Sequence, residues 1–108
     1  MSKFLHTLAI SIAFLITFSS TSAFQMPDID LPEGFSIKVL TDQVPGARSM
    51  ALGDKGTLFV STMRAGKVYA VSGIYSEPEV LTIASGLYMP NGVAFKDGNL
   101  YVAEIHRV

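Results

Sequence analysis

Past its first two dozen residues the chain is a succession of short apolar–polar alternations punctuated by Gly, Pro and Asp, with no run at helical spacing. A period of two puts successive side chains on opposite faces, so each run predicts a strand with one face toward a core. Phe24 to Pro32 is an irregular lead-in, because Pro27 and Pro32 lack the amide hydrogen that pairing needs. A turn at Glu33-Gly34 follows, and Phe35-Ser36-Ile37-Lys38-Val39-Leu40 then alternates as a half-buried strand. Pro45-Gly46 marks a loop. Beyond it the expected strands are Ser49 to Leu52, Leu58 to Thr62, Lys67 to Val71, Glu79 to Ala84, Gly92 to Phe95 and Asn99 to Ala103. Asp54-Lys55-Gly56 and Asp97-Gly98 are tight turns, each ending on a Gly that tolerates positive φ.

This order contains a repeat. Arg48-Ser49-Met50-Ala51-Leu52-Gly53-Asp54-Lys55-Gly56-Thr57-Leu58-Phe59-Val60-Ser61 returns as Asn91-Gly92-Val93-Ala94-Phe95-Lys96-Asp97-Gly98-Asn99-Leu100-Tyr101-Val102-Ala103. Ala51 matches Ala94 at a spacing of 43, and Leu58 matches Leu100 at 42 after a one-residue gap in the turn. A strand-built repeat of ~40–45 residues is the pattern of β-propeller blades. The expected fold class is therefore all-β, with the first strand of each copy innermost in its blade. Propellers close with at least about four blades, and this chain supplies about one and a half. The expectation is an N-terminal part of a longer propeller, with residues 24–108 forming the truncated domain. Its apolar faces, Val93, Phe95, Leu100 and Val102 among them, would lie uncovered, which predicts aggregation or partial disorder.

The first 23 residues have a different character. Lys3 supplies a positive start, Leu8 to Phe18 is apolar apart from Ser11 and Thr17, and Ser19 to Ala23 are small. That is the order of a secretory signal peptide cleaved after Ala23, and the apolar run is well short of the ~20 residues a spanning helix requires. The expected location is secreted or periplasmic, with no membrane attachment after cleavage. Losing the leader removes Lys3 and leaves seven Lys/Arg against nine Asp/Glu. With no basic cluster, nucleic acid and anionic membrane surfaces are poor partners. The chain has no cysteine, so an exported product of this length has neither disulfides nor thiol chemistry. Gly-rich phosphate loops, zinc spacings, the Gly-x-Ser-x-Gly elbow and haem motifs are also absent from the sequence.

Antiparallel strands send alternate connections to opposite ends of a blade. Arg48, the loop Met63-Arg64-Ala65-Gly66, the segment Tyr88-Met89-Pro90-Asn91 and the segment Glu104-Ile105-His106-Arg107 should therefore share one face, around one mouth of a central channel. A polar, titratable cluster there is a candidate ligand site. Each member has two readings. Arg64 either contacts a ligand or caps its loop and pairs with a carboxylate. Asn91 either binds or serves the Asn-Gly turn. His106 is either a proton acceptor or a structural loop residue. Glu104 and Arg107 read as a surface pair of little energetic worth. Tyr69, Tyr88 and Tyr101 read as packing aromatics. The dispersed acids neither build nor exclude a calcium site.

Leu31-Pro32-Glu33-Gly34-Phe35-Ser36-Ile37 resembles the entry strand of the glucose/sorbosone dehydrogenase family, exported six-bladed propellers that use pyrroloquinoline quinone. The resemblance continues through Gly46 to Leu52, Gly56 to Thr62, Arg64-Ala65-Gly66-Lys67-Val68-Tyr69-Ala70-Val71, Met89-Pro90-Asn91-Gly92-Val93-Ala94-Phe95 and Asn99 to Glu104, nearly all of residues 24–108. It implies oxidation of a sugar or related alcohol or aldehyde, with a His as general base, hydride transfer to the quinone and calcium polarising the cofactor. Asn91 stands where the family places a polar amide of the quinone pocket. The cofactor-facing candidates are Asn91, Arg64, Arg48 and His106, and no catalytic or metal-ligating residue is assigned. The family's catalytic His belongs to a later blade, so His106 does not inherit that role, and this length alone is expected to be inactive. Two alternatives stand beside it. A calcium-dependent propeller lactonase would place a metal-binding Glu near the first inner strand, where Arg48-Ser49 stand instead. A non-catalytic propeller repeat would bind partners through its loop face.

Overall fold

The computed structural model describes residues 26–108, and every regular element among them is a β-strand. The expected leader and its cleavage point lie outside the described residues. No helix among the described residues is long and apolar enough to cross a membrane. The strands are β1 (Ala47–Leu52), β2 (Leu58–Thr62), β3 (Val68–Ser72), β4 (Glu79–Ala84), β5 (Gly92–Lys96) and β6 (Asn99–Ala103). The first four form an antiparallel meander in the order β1-β2-β3-β4, and β5 and β6 form a separate antiparallel hairpin.

The two copies of the repeat pair in matching register. Met50 faces Val60, Ala51 faces Phe59 and Leu52 faces Leu58. Their counterparts Val93, Ala94 and Phe95 face Val102, Tyr101 and Leu100 in the same way. The one-residue gap falls in the turn. Gly53 bonds to Thr57 across three intervening residues, whereas Lys96 pairs with Asn99 across two. Those two, Asp97 and Gly98, have φ of 51° and 78°, the left-handed pair that a two-residue hairpin turn requires. Asp and Gly tolerate it; a β-branched residue would not.

The core lies on one face of the four-stranded sheet, where Val60, Tyr69 and Val71 are buried and Leu40, Val44, Leu58, Ile74 and Val80 pack against them. Strand β3 starts at Val68, one residue later than the pattern predicts. The N–H of Lys67 donates to Thr62 Oγ1 at 2.9 Å, and its carbonyl accepts from that hydroxyl at 2.8 Å. Lys67 thus closes a loop before the ladder begins.

The alternating segment 35–40 forms no strand. Alternation specifies which faces a strand would present, but a strand also needs an edge to pair with. Phe35 is 71% exposed, and of this segment Leu40 joins the packing around the core. A second correction concerns Val93, Phe95, Leu100 and Val102, expected to be uncovered. All four are half-buried, because β5 packs against β1 and β2 and the Phe95 ring stacks on Phe59, centroids 5.6 Å apart at 9°. Within the strands, the large apolar side chains left exposed are instead Met50 and Leu52 on β1, Leu81 and Ile83 on β4, and Tyr101 on β6.

Candidate functional site

Arg48 owes its direction to an irregularity in β1. Ala47 pairs with Thr62 and Ser49 with Ser61, leaving Arg48 as an extra, unpaired residue. A bulge of this kind bends the strand and re-aims its side chain. Here the Arg48 Nε–H donates to Asn91 Oδ1 at 2.6 Å, joining matched positions of the two repeats. Asn91 is held from its backbone as well. Its N–H donates to the Ala103 carbonyl at 3.0 Å, and its own carbonyl accepts the Ser61 hydroxyl at 2.8 Å. Ser61 is fully buried and also lies 3.4 Å from the Ser49 carbonyl. Its one proton is best spent on the nearer acceptor. Ser61 therefore fastens the second repeat to the first, a role its place in a strand of β-formers did not signal.

The segment 87–91 is anchored at its other end by Gly66. The Leu87 N–H donates to the Gly66 carbonyl at 3.0 Å, and Gly66 has φ of 63°. A Cβ there would come within 2.6 Å of the Leu87 carbonyl oxygen, so both the conformation and the close approach require glycine. Between these anchors Pro90 is fully buried and Met89 is held at φ 52°, a left-handed conformation unusual for a residue without a polar side chain.

Glu104 closes the same segment from β6. Its Oε1 accepts the Tyr88 N–H at 2.5 Å, its Oε2 accepts the Arg107 Nε–H, and its own N–H donates to the Arg107 carbonyl at 2.8 Å. The Glu104 side chain is 6% exposed against 65% for Arg107. The pair is thus not the surface contact its spacing implied, because one partner is tucked beneath the backbone it holds. The Arg107 hydrogen bond, with the Tyr88 amide second, pulls the Glu104 carboxyl below the usual range against the effect of burial, and Glu104 in turn raises Arg107. The His106 ring packs against Tyr88 at 5.7 Å, tilted by 57°.

The four connections expected to share one end of the molecule therefore do meet there. Arg48 and Asn91 touch directly. His106 reaches the segment through Tyr88, and the loop bearing exposed Arg64 reaches it through Gly66. Among the described residues, no hydrogen bond joins Arg64 or His106 to the Arg48–Asn91 pair. Of the three tyrosines expected to pack, Tyr69 is buried, while Tyr88 and Tyr101 are exposed. Charge is divided along the strands. These connections carry Arg48, Arg64, Lys67 and Arg107, and their one acid, Glu104, is already committed to Arg107. The opposite end is mixed with an acidic excess: Asp54, Lys55, Glu77 and Asp97 stand on its turns, with Glu79 and Lys96 at the adjoining strand ends. That separation favours an anionic ligand at the Arg48 end. A cleft of about 340 Å³ opens at the other end, between the two turns, lined by Gly53, Asp54, Lys55, Thr57, Phe59, Phe95 and Gly98. No three His, Cys, Asp or Glu residues gather as a metal site among the described residues.

These features define an all-β chain of two antiparallel sheets with a polar, mostly cationic loop end. No family model matches the chain, and no curated protein or solved structure matches it.

Proposed function

We propose that the chain forms the first blade and the inner half of the second in an exported six-bladed propeller, a quinone-dependent dehydrogenase of the glucose/sorbosone type that oxidises a sugar hydroxyl or aldehyde. The observation that supports this most directly is the Arg48–Asn91 hydrogen bond, which joins matched positions of two repeats at the rim where the loops converge. Such a rim is where a propeller binds small molecules. The open apolar positions on β1 and β6 fit neighbouring blades on either side.

The residues present suit pyrroloquinoline quinone in part. The cofactor bears carboxylates, and Arg48 spends its Nε on Asn91 while its terminal nitrogens remain as a fork for an anion. Arg48 and Arg64 would hold those carboxylates, Asn91 would orient the ring system through its amide, and His106 would border the site on Tyr88. When bound, the quinone supplies the hydride acceptor. No calcium ligand set gathers among the described residues, where Glu104 is occupied; the resemblance places those ligands in later blades. No step is assigned to calcium here.

The test begins with the coding sequence past the Val108 codon. Further repeats of ~42 residues, and an intact product that reduces a dye with aldoses once given the quinone, are the expected results, with Arg48→Ala weakening quinone binding. A stop codon directly after Val108, or an intact product that fails to bind the quinone, would sink the enzyme reading.

A further inference from the structure

We propose that Asn91-Gly92 is a site of self-modification, where the Asn91 amide becomes a carboxylate once the joint between the two repeats opens. In the closed joint the buried Ser61 hydroxyl is the gate.

The chemistry needs only the dipeptide and water. The Gly92 backbone nitrogen attacks Asn91 Cγ, the side-chain nitrogen leaves with the Gly92 proton as ammonia, and a cyclic imide remains. Water then opens the imide at either carbonyl. One opening gives an aspartyl residue; the other gives an isoaspartyl residue, whose main chain runs through the side-chain carbonyl. Nothing is oxidised or reduced, and water replaces the ammonia lost. Glycine at 92 favours the attack because no Cβ crowds its nitrogen. The other asparagine, Asn99, precedes the branched Leu100 and lacks that advantage.

Ring closure requires the Gly92 nitrogen to turn onto Asn91 Cγ. That nitrogen shares a rigid peptide plane with the Asn91 carbonyl oxygen. The oxygen accepts the hydroxyl of Ser61, which is fully buried, at 2.8 Å, so turning the plane breaks this bond. The Asn91 N–H is tied to the Ala103 carbonyl at 3.0 Å, and Gly92 opens β5 opposite Ala103. Arg48 acts on the same amide in two opposed senses. Its Nε–H, 2.6 Å from Oδ1, fixes the side chain but also draws electrons from Cγ. Polarisation is idle while the nitrogen is held away, which leaves Ser61 in control. Ser61 lies on β2, so the gate is released whenever β5 parts from β1 and β2. Asn91 is itself exposed, and water is at hand for the second step.

Either product changes this end of the molecule irreversibly. A carboxylate now faces Arg48 and neutralises the cation that Asn91 had left free for an anion. The isoaspartyl form also lengthens the backbone at the entry to β5, which moves its carbonyl out of register with Ser61. The expected loss of ligand affinity rests on the quinone reading of this end; the modification itself does not.

The test incubates the full chain in mildly alkaline buffer and follows the peptide bearing residue 91 by mass spectrometry, where amide-to-acid conversion appears as a mass gain. Wild type should convert slowly when folded and much faster in urea. Ser61→Ala should convert about three- to tenfold faster than wild type, the worth of one hydrogen bond. Val60→Ala weakens the core without touching Asn91 and should stay close to wild type. Gly92→Ala should keep its amide, and it fits the fold, since the added Cβ would lie 3.4 Å from the Ala103 Cβ. Circular dichroism checks that each variant folds. Equal rates in buffer and urea, an unchanged rate in Ser61→Ala, an equal gain in Val60→Ala, or conversion that persists in Gly92→Ala would each overturn the proposal. Binding of pyrroloquinoline quinone by the intact product, before and after conversion, reads the consequence separately. Weaker binding after conversion is expected, and unchanged binding would overturn the anion role of Arg48 alone.

Discussion

The hairpins β1–β2 and β5–β6 share a register but not a fate. In the first, Val60 is 3% exposed because β3 and β4 extend the sheet and Leu40 and Val44 cover it. In the second, the matched Val102 is only half-buried, and β6 pairs with β5 alone. The same short pattern of β-formers around an Asp/Gly turn therefore suffices to set pairing, while burial comes from what is layered around it. An isolated two-stranded hairpin is marginal in water. Here the second hairpin persists by leaning on the first through Phe95, Ser61, Asn91 and the Gly66 approach. Sheet stability in this molecule is a property of neighbours.

Breaking that dependence should have the largest effect. Gly66→Val puts a branched side chain where φ is positive and where the Leu87 carbonyl leaves no room, severing the anchor between the repeats. A forbidden left-handed residue costs about 1–3 kcal/mol on its own, and the backbone clash adds to it. A domain with marginal stability is expected to lose its cooperative urea transition. Unchanged unfolding would mean that the anchor does not hold the second hairpin.

A paired substitution sharpens the comparison at smaller cost. Val60→Ala removes two methyl groups from the packed face and should destabilise by about 2 kcal/mol. Val102→Ala makes the same chemical change at the matched position and should cost under about 1 kcal/mol, because water already reaches that site. The difference is read from urea midpoints at constant slope. Equal costs would show that Val102 is as fully covered in solution as Val60.

Much of this architecture was legible because its determinants are local. Leu58–Thr62, Glu79–Ala84 and Asn99–Ala103 form strands at the limits their alternation predicts, and Asp97-Gly98 turns as its chemistry demands. That Arg48 and Asn91 stand at one end follows from strand count, which decides where each loop emerges; their hydrogen bond does not. What stayed hidden depends on partners distant in sequence. Nothing in Phe35 to Leu40 reveals that it pairs with none of the strands. Nothing in Arg48-Ser49 announces a bulge, and the covered face of β5 could not be told from its bare one without knowing how the hairpins lean. The role of Glu104 is hidden for the same reason. Its spacing to Arg107 is visible, but its grip on the Tyr88 amide spans 16 residues and two connections.

That grip yields the smallest of the expected effects and the most local. The Glu104 carboxyl titrates below the usual range, held there first by the Arg107 hydrogen bond and then by the Tyr88 N–H, with the nearby His106 charge acting in the same direction. A carboxyl whose folded-state pKa is depressed adds stability that is present above its unfolded pKa and lost as pH falls through the folded one. Acidification below the ordinary Glu range should therefore free the Tyr88 amide before the sheet unfolds. The protection factor of that amide, its exchange rate relative to an unstructured amide at the same pH, should fall there, while Val60 and Val71 in the core remain protected. Glu104→Gln keeps one acceptor for the Tyr88 N–H but cannot ionise, so exchange should lose its acid step and the segment should be looser at neutral pH. The matched position in the first repeat is Thr62, since Ala103 corresponds to Ser61. Thr62 closes its loop with a hydroxyl that does not titrate in this range, so the 62–67 loop should show no step over the same pH. A parallel step in both loops would trace the change to the sheet as a whole and remove Glu104 from the explanation.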